Sequence, residues 1–273
     1  MSLFLFSAAL ACYLLAAAAH IVRFFQDRPG LARAARRLFL AAFALHTATI
    51  LARWFEAGYT PITTHHETVS FFAWGLGACF LSLRLRAEVK NLGPFVCLLV
   101  LLVMVIAAFV SRAPAAEMPD SLRSLWLPVH ASLALLAYDC FALAAVGGLM
   151  YLLQERNIKR KRFGLLYSRL PDLETLDRLG AHCLSVGFAL LTLGMITGSL
   201  WAWQAFGSYW RWNATEVWTL ATWLIYAALF HQRLTVGWRG RRAAWLGIAA
   251  LAFAVFAFWG VTALFSGYHG NFS

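Results

Sequence analysis

The sequence predicts an all-α fold: a polytopic membrane helix bundle of about eight transmembrane helices, with both termini outside. Three observations predict it. Apolar residues make up 62% of the chain and charged residues 13%, about half the charged share of a soluble domain. Hydrophobic runs close to or above the roughly 18 residues that span a bilayer recur along the whole length. The basic residues crowd into every second connection between those runs, which is the positive-inside pattern.

The first run covers about 2–22. It lacks a cleavage site of small residues and Arg23 follows it, so it reads as a retained helix and not a signal peptide. The next runs cover about 38–54, 68–83, 93–111, 129–152, 181–203, 217–232 and 243–265. The third and seventh are short and extend into their flanking loops. Residues 1–273 read as a single integral-membrane domain, with an outer tryptophan-rich loop at 201–218 between the sixth and seventh helices.

Charge fixes the orientation. The connection 23–37 carries Arg23, Arg28, Arg33, Arg36 and Arg37, and the connection 84–90 carries Arg84, Arg86 and Lys90. The connection 155–180 carries Arg156, Lys159, Arg160, Lys161, Arg162, Arg169 and Arg178, and the last carries Arg233, Arg239, Arg241 and Arg242. Those alternate loops hold 19 of the 23 basic residues; Arg53, Arg112, Arg123 and Arg211 lie opposite. The net charge of +11 therefore reads as topology and not as a nucleic-acid surface. The cluster at 160–162 reads as a topology determinant and anionic-lipid contact. The expected location is the inner (cytoplasmic) membrane.

Several chemistries are excluded. Cys12, Cys79, Cys97, Cys140 and Cys183 all lie inside hydrophobic runs without CxxC spacing, which argues against a disulfide framework, a zinc site or a thiol redox centre. No glycine-rich phosphate loop and no HExxH motif occurs. The small-xxx-small run GMITG at 194–198 reads as helix packing. No residue is assigned a catalytic role separate from ligand binding.

The outer face holds the remaining candidates. Six of twelve tryptophans fall between Trp201 and Trp223, namely Trp201, Trp203, Trp210, Trp212, Trp218 and Trp223, interleaved with Gly207, Tyr209 and Glu216. Such rings form either an interfacial belt or a bed for a flat ligand, and their density favours the bed. The topology brings His130, at the start of the fifth span, and His269, in the tail SGYHGNFS, to that same surface. His231 lies at the other end of the seventh span, 13 residues after Trp218, or about 20 Å of helix. Two imidazoles beside tryptophans are a sensible way to hold haem iron, although a histidine at a helix end is also a common interfacial residue. Asp139 lies in the middle of the fifth span, about two and a half turns from His130. It reads either as sharing that helix face or as a carboxyl hydrogen-bonded to a neighbouring helix.

The stretch WAWQAFGSYWRWNATEVWTLATWLIYAALFHQRLTVGWRGRRAA closely resembles the tryptophan-rich "WWD" signature of the haem-handling superfamily. Within it the chain is most similar to the CcsA/ResC type of cytochrome c biogenesis protein. LPVHASLALLAYDCFALAAVGGLMYL, FSGYHGNFS and RWFEAGYTPITTHHETVSFFAWGL match further family segments, so the resemblance covers about 46–273. It implies a subunit that carries haem b across the membrane, together with a CcsB/ResB-type membrane subunit. It further implies that haem is presented on the outer face for thioether attachment to apocytochrome c, as part of a haem lyase. Carried over, His130 and His269 match the two outer axial ligands, and His231 matches an intramembrane ligand whose opposite number comes from the partner subunit. Trp201, Trp203, Trp210, Trp212, Trp218 and Glu216 belong to the implied haem bed. The family's WG is Phe206-Gly207 here, its WDPKE is Trp212-Asn213-Ala214-Thr215-Glu216, and its NxYE region is Thr64-His65-His66-Glu67. Asn213 thus replaces the name-giving acid, although Asn caps a helix about as well. His65 and His66 are additional outer imidazoles, and His46 is not transferred. Two alternatives remain: a HemX-like haem-binding or regulatory membrane protein, and a b-type haem electron-transfer subunit.

Overall fold

The structure is a computed structural model and describes residues 1–26, 28–86, 89, 91–110 and 124–257. Among these residues every regular element is helical. In chain order they are α1 (Ser2–Phe25), α2 (Pro29–Ala57), α3 (His65–Arg86), α4 (Leu92–Phe109), α5 (Trp126–Lys159), α6 (Leu165–Arg169), α7 (Leu173–Phe206), α8 (Ala214–His231) and α9 (Arg241–Val255). A single π turn, Gln232–Val236, follows α8. The described part of each of the eight predicted runs falls on one helix, residues 258–265 of the last run lying outside the described residues. Of these helices, α1, α2, α4, α5 and α7 are long and apolar enough to cross a membrane.

Several helices outrun their apolar segments because good helix signals lie beyond them. Pro29 occupies the first turn of α2, where its missing N–H costs nothing. Asp172 caps α7, its side chain accepting from the Thr175 N–H at 2.8 Å, so α7 begins well before residue 181. At its other end α7 runs on to Phe206 and stops at Gly207, whose φ of +72° is the left-handed conformation that glycine adopts without a Cβ clash. The tryptophan-rich stretch is therefore mostly helical: Trp201 and Trp203 lie in the last turns of α7 and Trp218 in the first turns of α8. Only 207–213 is loop.

The chain forms two compact units, 1–115 with 157–171, and 116–156 with 172–273. In the first, α1 packs on α2 and α4, and α3 packs on α2 and α4. Its centre holds Phe6, Tyr13, Phe39 and Phe80, all nearly inaccessible. In the second, α7, α8 and α9 pack mutually. Its centre holds Phe141, stacked on Tyr226 with ring centroids 3.5 Å apart.

Each unit builds the same arrangement once. Phe43-Ala44-Leu45-His46-Thr47 on α2 corresponds to Phe188-Ala189-Leu190-Leu191-Thr192 on α7. Trp74 Nε1 donates to Thr47 Oγ1 at 2.9 Å, and Trp223 Nε1 donates to Thr192 Oγ1 at 3.0 Å. Both threonine hydroxyls donate in turn to the carbonyl four residues back, Phe43 and Phe188, and both indoles pack on those phenylalanine rings. The first of each helix pair ends four residues after a tryptophan, at Gly58 after Trp54 and at Gly207 after Trp203, both in left-handed conformation. The second begins at a cap whose partner is the glutamate three residues on. At Thr64 and Glu67 this is a capping box, each side chain accepting from the other's backbone N–H; at Asn213 and Glu216, Asn213 Oδ1 accepts from the Glu216 N–H and Asn213 Nδ2 donates to the Glu216 carboxylate. The glutamates pair with Arg53 and Arg211 respectively.

Candidate functional site: a histidine and a tryptophan-rich loop

His130 sits one turn into α5, where α5 and α7 run antiparallel at close range. A Cβ added to Gly187 would meet Phe141 at 2.6 Å, one on Gly194 would meet the Ala134 nitrogen at 3.3 Å, and one on Gly198 would meet His130 at 2.7 Å. Each step along α7 is matched by an equal step back along α5. The glycines of GMITG do pack helices, as the sequence suggests, and they do so against the histidine. His130 Nδ1 lies 2.7 Å from the Gly194 carbonyl oxygen. A carbonyl can only accept, so Nδ1 carries the proton and Nε2 keeps its lone pair.

The loop 207–213 is fixed by one carboxylate. Glu216 accepts from the Arg211 N–H at 2.6 Å and from Asn213 Nδ2 at 2.9 Å, while Asn213 Oδ1 accepts from the Glu216 N–H at 2.9 Å. Arg211 Nε lies 3.6 Å from the same carboxylate, and the guanidinium sits 3.5 Å over the Phe206 ring. Asn213 thus caps α8 as a family aspartate would, and adds a donor that an aspartate lacks. Between these anchors Trp212 adopts a left-handed φ of 58°, a conformation that costs a bulky residue about 1–3 kcal/mol and marks functional loops.

The tryptophans pair with different partners. Trp203 stacks on Tyr209 at 4.8 Å, both exposed. Trp210 meets Trp212 edge-on at 5.8 Å, Trp201 meets Phe206, and Trp218 packs on Phe253 and Phe256 of the last helical segment. Among the described residues Trp210 Nε1 is buried without a hydrogen-bond partner, where a buried indole N–H normally finds one.

At the far end of α8, His231 is exposed and ends the helix directly before the π turn. Single π turns recur at functional sites. The turn is tied down by Arg233, which donates to both carboxylate oxygens of Asp177 and to its carbonyl oxygen. The Gly240 N–H completes the cluster on Asp177 Oδ1 at 2.8 Å.

The other sequence candidates are distributed as follows. His269 lies outside the described residues. Asp139 is fully buried, and its shared face with His130 is not realised: nine residues at 100° each is half a turn out of phase, so the two project from opposite sides of α5. His46 is buried in the first unit, with Nε2 3.0 Å from Ser70 Oγ. His66 Nδ1 donates to the Ala107 carbonyl oxygen at 2.7 Å, and His65 is exposed. None of the five cysteines, all among the described residues, forms a disulfide. Among the described residues no group of three His, Cys, Asp or Glu side chains forms a metal site.

Comparison with known proteins decides the family. The family model described as cytochrome C assembly protein matches residues 86–269. The chain belongs to this family. It is 33% identical over 245 residues to the cytochrome c biogenesis protein CcsA of Guillardia theta, covering 82% of this chain and 81% of that one. It is 32% identical over 271 residues to the CcsA of a Synechococcus strain, covering 89% and 86%. Among solved structures, the cytochrome c haem lyase CcmF superposes with a TM-score of 0.63 at 18% identity, over 94% of this chain. The chain spans only 46% of that longer protein, and at this identity the likeness concerns the fold. The family assignment and the apolar helices make this cytochrome c assembly protein an integral membrane protein.

Proposed function

We propose that this chain is the haem-handling subunit of a cytochrome c synthase. It takes haem b from the inner side of the cytoplasmic membrane and presents it on the outer face to apocytochrome c. It works with a CcsB/ResB-type membrane subunit. The observation that carries the reading is His130: its Nδ1–H is committed to a backbone carbonyl, and its Nε2 is left as a ligand. Metal-binding histidines are held in this way. The donor set fits haem. Imidazole suits iron, Trp203 and Tyr209 offer exposed flat rings, and the unpartnered Trp210 N–H is a donor for a propionate.

In this reading His130 and His269 are the two outer axial ligands and Trp201, Trp203, Trp210, Trp212 and Trp218 line the bed. Glu216 holds the bed in shape through Arg211 and Asn213. His231, exposed at the other end of α8, is the intramembrane ligand that shares haem with the partner subunit. The chain crosses the membrane eight times with both termini outside. Each cysteine thiol of the substrate adds across one haem vinyl: the S–C bond forms as the S–H hydrogen passes to the second vinyl carbon, with no net redox change. The protein contributes orientation, and the reactive groups belong to haem and substrate.

Co-expression with a CcsB/ResB-type subunit and a CxxCH-bearing reporter tests the proposal. The wild-type pair yields covalent holocytochrome, and His130→Ala yields little or none. Haem that stays bound with normal redox cycling while no reporter is matured, even with the partner present, favours an electron-transfer role and refutes this one.

A further inference from the structure

The 130–198 contact goes beyond naming a ligand, because it shows what aims it. The His130 ring lies against α7 at Gly198, a position with no side chain. A Cβ at Gly198 would stand 2.7 Å from both Cε1 and Nδ1, closer than real Cβ contacts come, and the Gly194 oxygen accepts from Nδ1 at 2.7 Å. The carbonyl of the first glycine of the pair, brought within reach because Gly194 lets α7 approach the α5 backbone at Ala134, is thus a built acceptor for one ring nitrogen.

We propose that Gly194 and Gly198 are positioning residues for His130: the Gly194 carbonyl fixes the Nδ1–H tautomer and ring plane, and the absent Cβ of Gly198 supplies the space that turns Nε2 toward the ligand. The inference rests on the reading of His130 as a haem ligand. An imidazole whose far nitrogen donates to a carbonyl is oriented, fixed in one tautomer and made more basic. It therefore binds iron more tightly and favours the oxidised state of the metal. Neither glycine touches haem in this account. The helix itself gains nothing from them, since glycine is a poorer helix residue than alanine by about 1 kcal/mol.

The test uses the full chain with its partner subunit and compares Gly198→Ala with Gly180→Ala. Gly180 lies on the same helix with nothing within 4 Å of an added Cβ, so it controls for the helix-propensity gain. Gly198→Ala is expected to weaken haem binding at least tenfold and to turn the bound fraction from low-spin to high-spin. Gly180→Ala is expected to leave both unchanged. A direct reading comes from the haem-free protein: the 15N histidine spectrum, with His130 assigned by its loss in His130→Gln, should show the Nδ1–H tautomer. Replacing His130 by Nδ1-methylhistidine keeps Nε2 but removes the bond, and the haem potential should rise. Wild-type haem affinity and spectrum in Gly198→Ala, or an Nε2–H tautomer in the haem-free protein, overturns the inference. If His130→Ala itself retains the wild-type haem spectrum, the ligand reading fails and takes the inference with it; if only Gly198→Ala is silent, the ligand reading stands alone.

Discussion

Glu216→Ala probes the loop at the carboxylate on which its backbone and side-chain hydrogen bonds converge. The carboxylate accepts two short hydrogen bonds, from the Arg211 N–H and Asn213 Nδ2, and faces the Arg211 guanidinium. Hydrogen bonds to a charged group contribute about 1.5–3 kcal/mol each. The Glu216 side chain is 17% exposed, so about 2–4 kcal/mol for the set is a fair figure after screening. Against it stands the left-handed Trp212, which costs about 1–3 kcal/mol. Without the carboxylate the loop no longer offsets that strain, and the arrangement that presents the tryptophans becomes a minority state. A net loss of about 1.4–2 kcal/mol lowers apparent haem affinity roughly 10–30-fold, in proportion to the competent fraction. Haem titration followed by absorbance measures this, and acrylamide quenching of tryptophan in the haem-free protein measures the loop independently. Glu216→Gln, which keeps one acceptor, should fall between. Wild-type affinity together with wild-type quenching in Glu216→Ala would refute the reasoning.

Other expectations follow from the same contacts. Asp177→Ala leaves Arg233 uncompensated in a site where each partner is 15% exposed, so it should destabilise the detergent-solubilised protein by about 3 kcal/mol and deplete haem at His231; an unchanged melting temperature would count against the anchor. His231→Ala should lower total haem in the assembled complex and also empty the outer site, which in the proposed route lies downstream; normal haem content with normal cytochrome maturation would refute the role proposed for His231. Trp74→Phe and Trp223→Phe each delete one indole-to-threonine bond, so both should cost about 1–2 kcal/mol and by similar amounts, as judged by thermal unfolding. A cysteine at Ser273 should label from outside and one at Ser168 from inside; labelling of Ser273 only from the cytoplasmic side contradicts the outer site.

Much of this was legible in the sequence, for identifiable reasons. Hydrophobic runs report helices directly, and the described parts of all eight fell on helices because a helix satisfies its own backbone along an apolar run. Their ends were less legible. α7 begins at Leu173 because Asp172 caps it, and it reaches Phe206 because the first left-handed residue is Gly207; with α8 starting at Ala214, most of the supposed loop is helix. The role of GMITG in aiming His130 depends on which face of α7 meets α5, which a single helix does not disclose. The phase of Asp139 was computable from helix geometry, and two and a half turns means the opposite face. The repeat was also in plain view: FALHT and FALLT, a tryptophan four residues before a glycine, and a glutamate seven residues before a tryptophan recur in both halves. Its signal is spread over three short motifs with unequal spacing, so attention to the dense tryptophan block passes over it. Asn213 acting as a cap was readable from residue type alone.

The most direct test of the account is the spin state of the bound iron. Purified with its partner subunit, the wild-type protein should show a low-spin, bis-imidazole haem spectrum. His130→Ala and His269→Ala should each give a mixed or high-spin spectrum, and added imidazole should restore the low-spin form by filling the vacated position. The double variant should be little worse than either single one, as for groups that act as a unit. Unaltered haem bands in both single variants, with cytochrome c maturation continuing, would contradict the claim that these two histidines hold haem on the outer face.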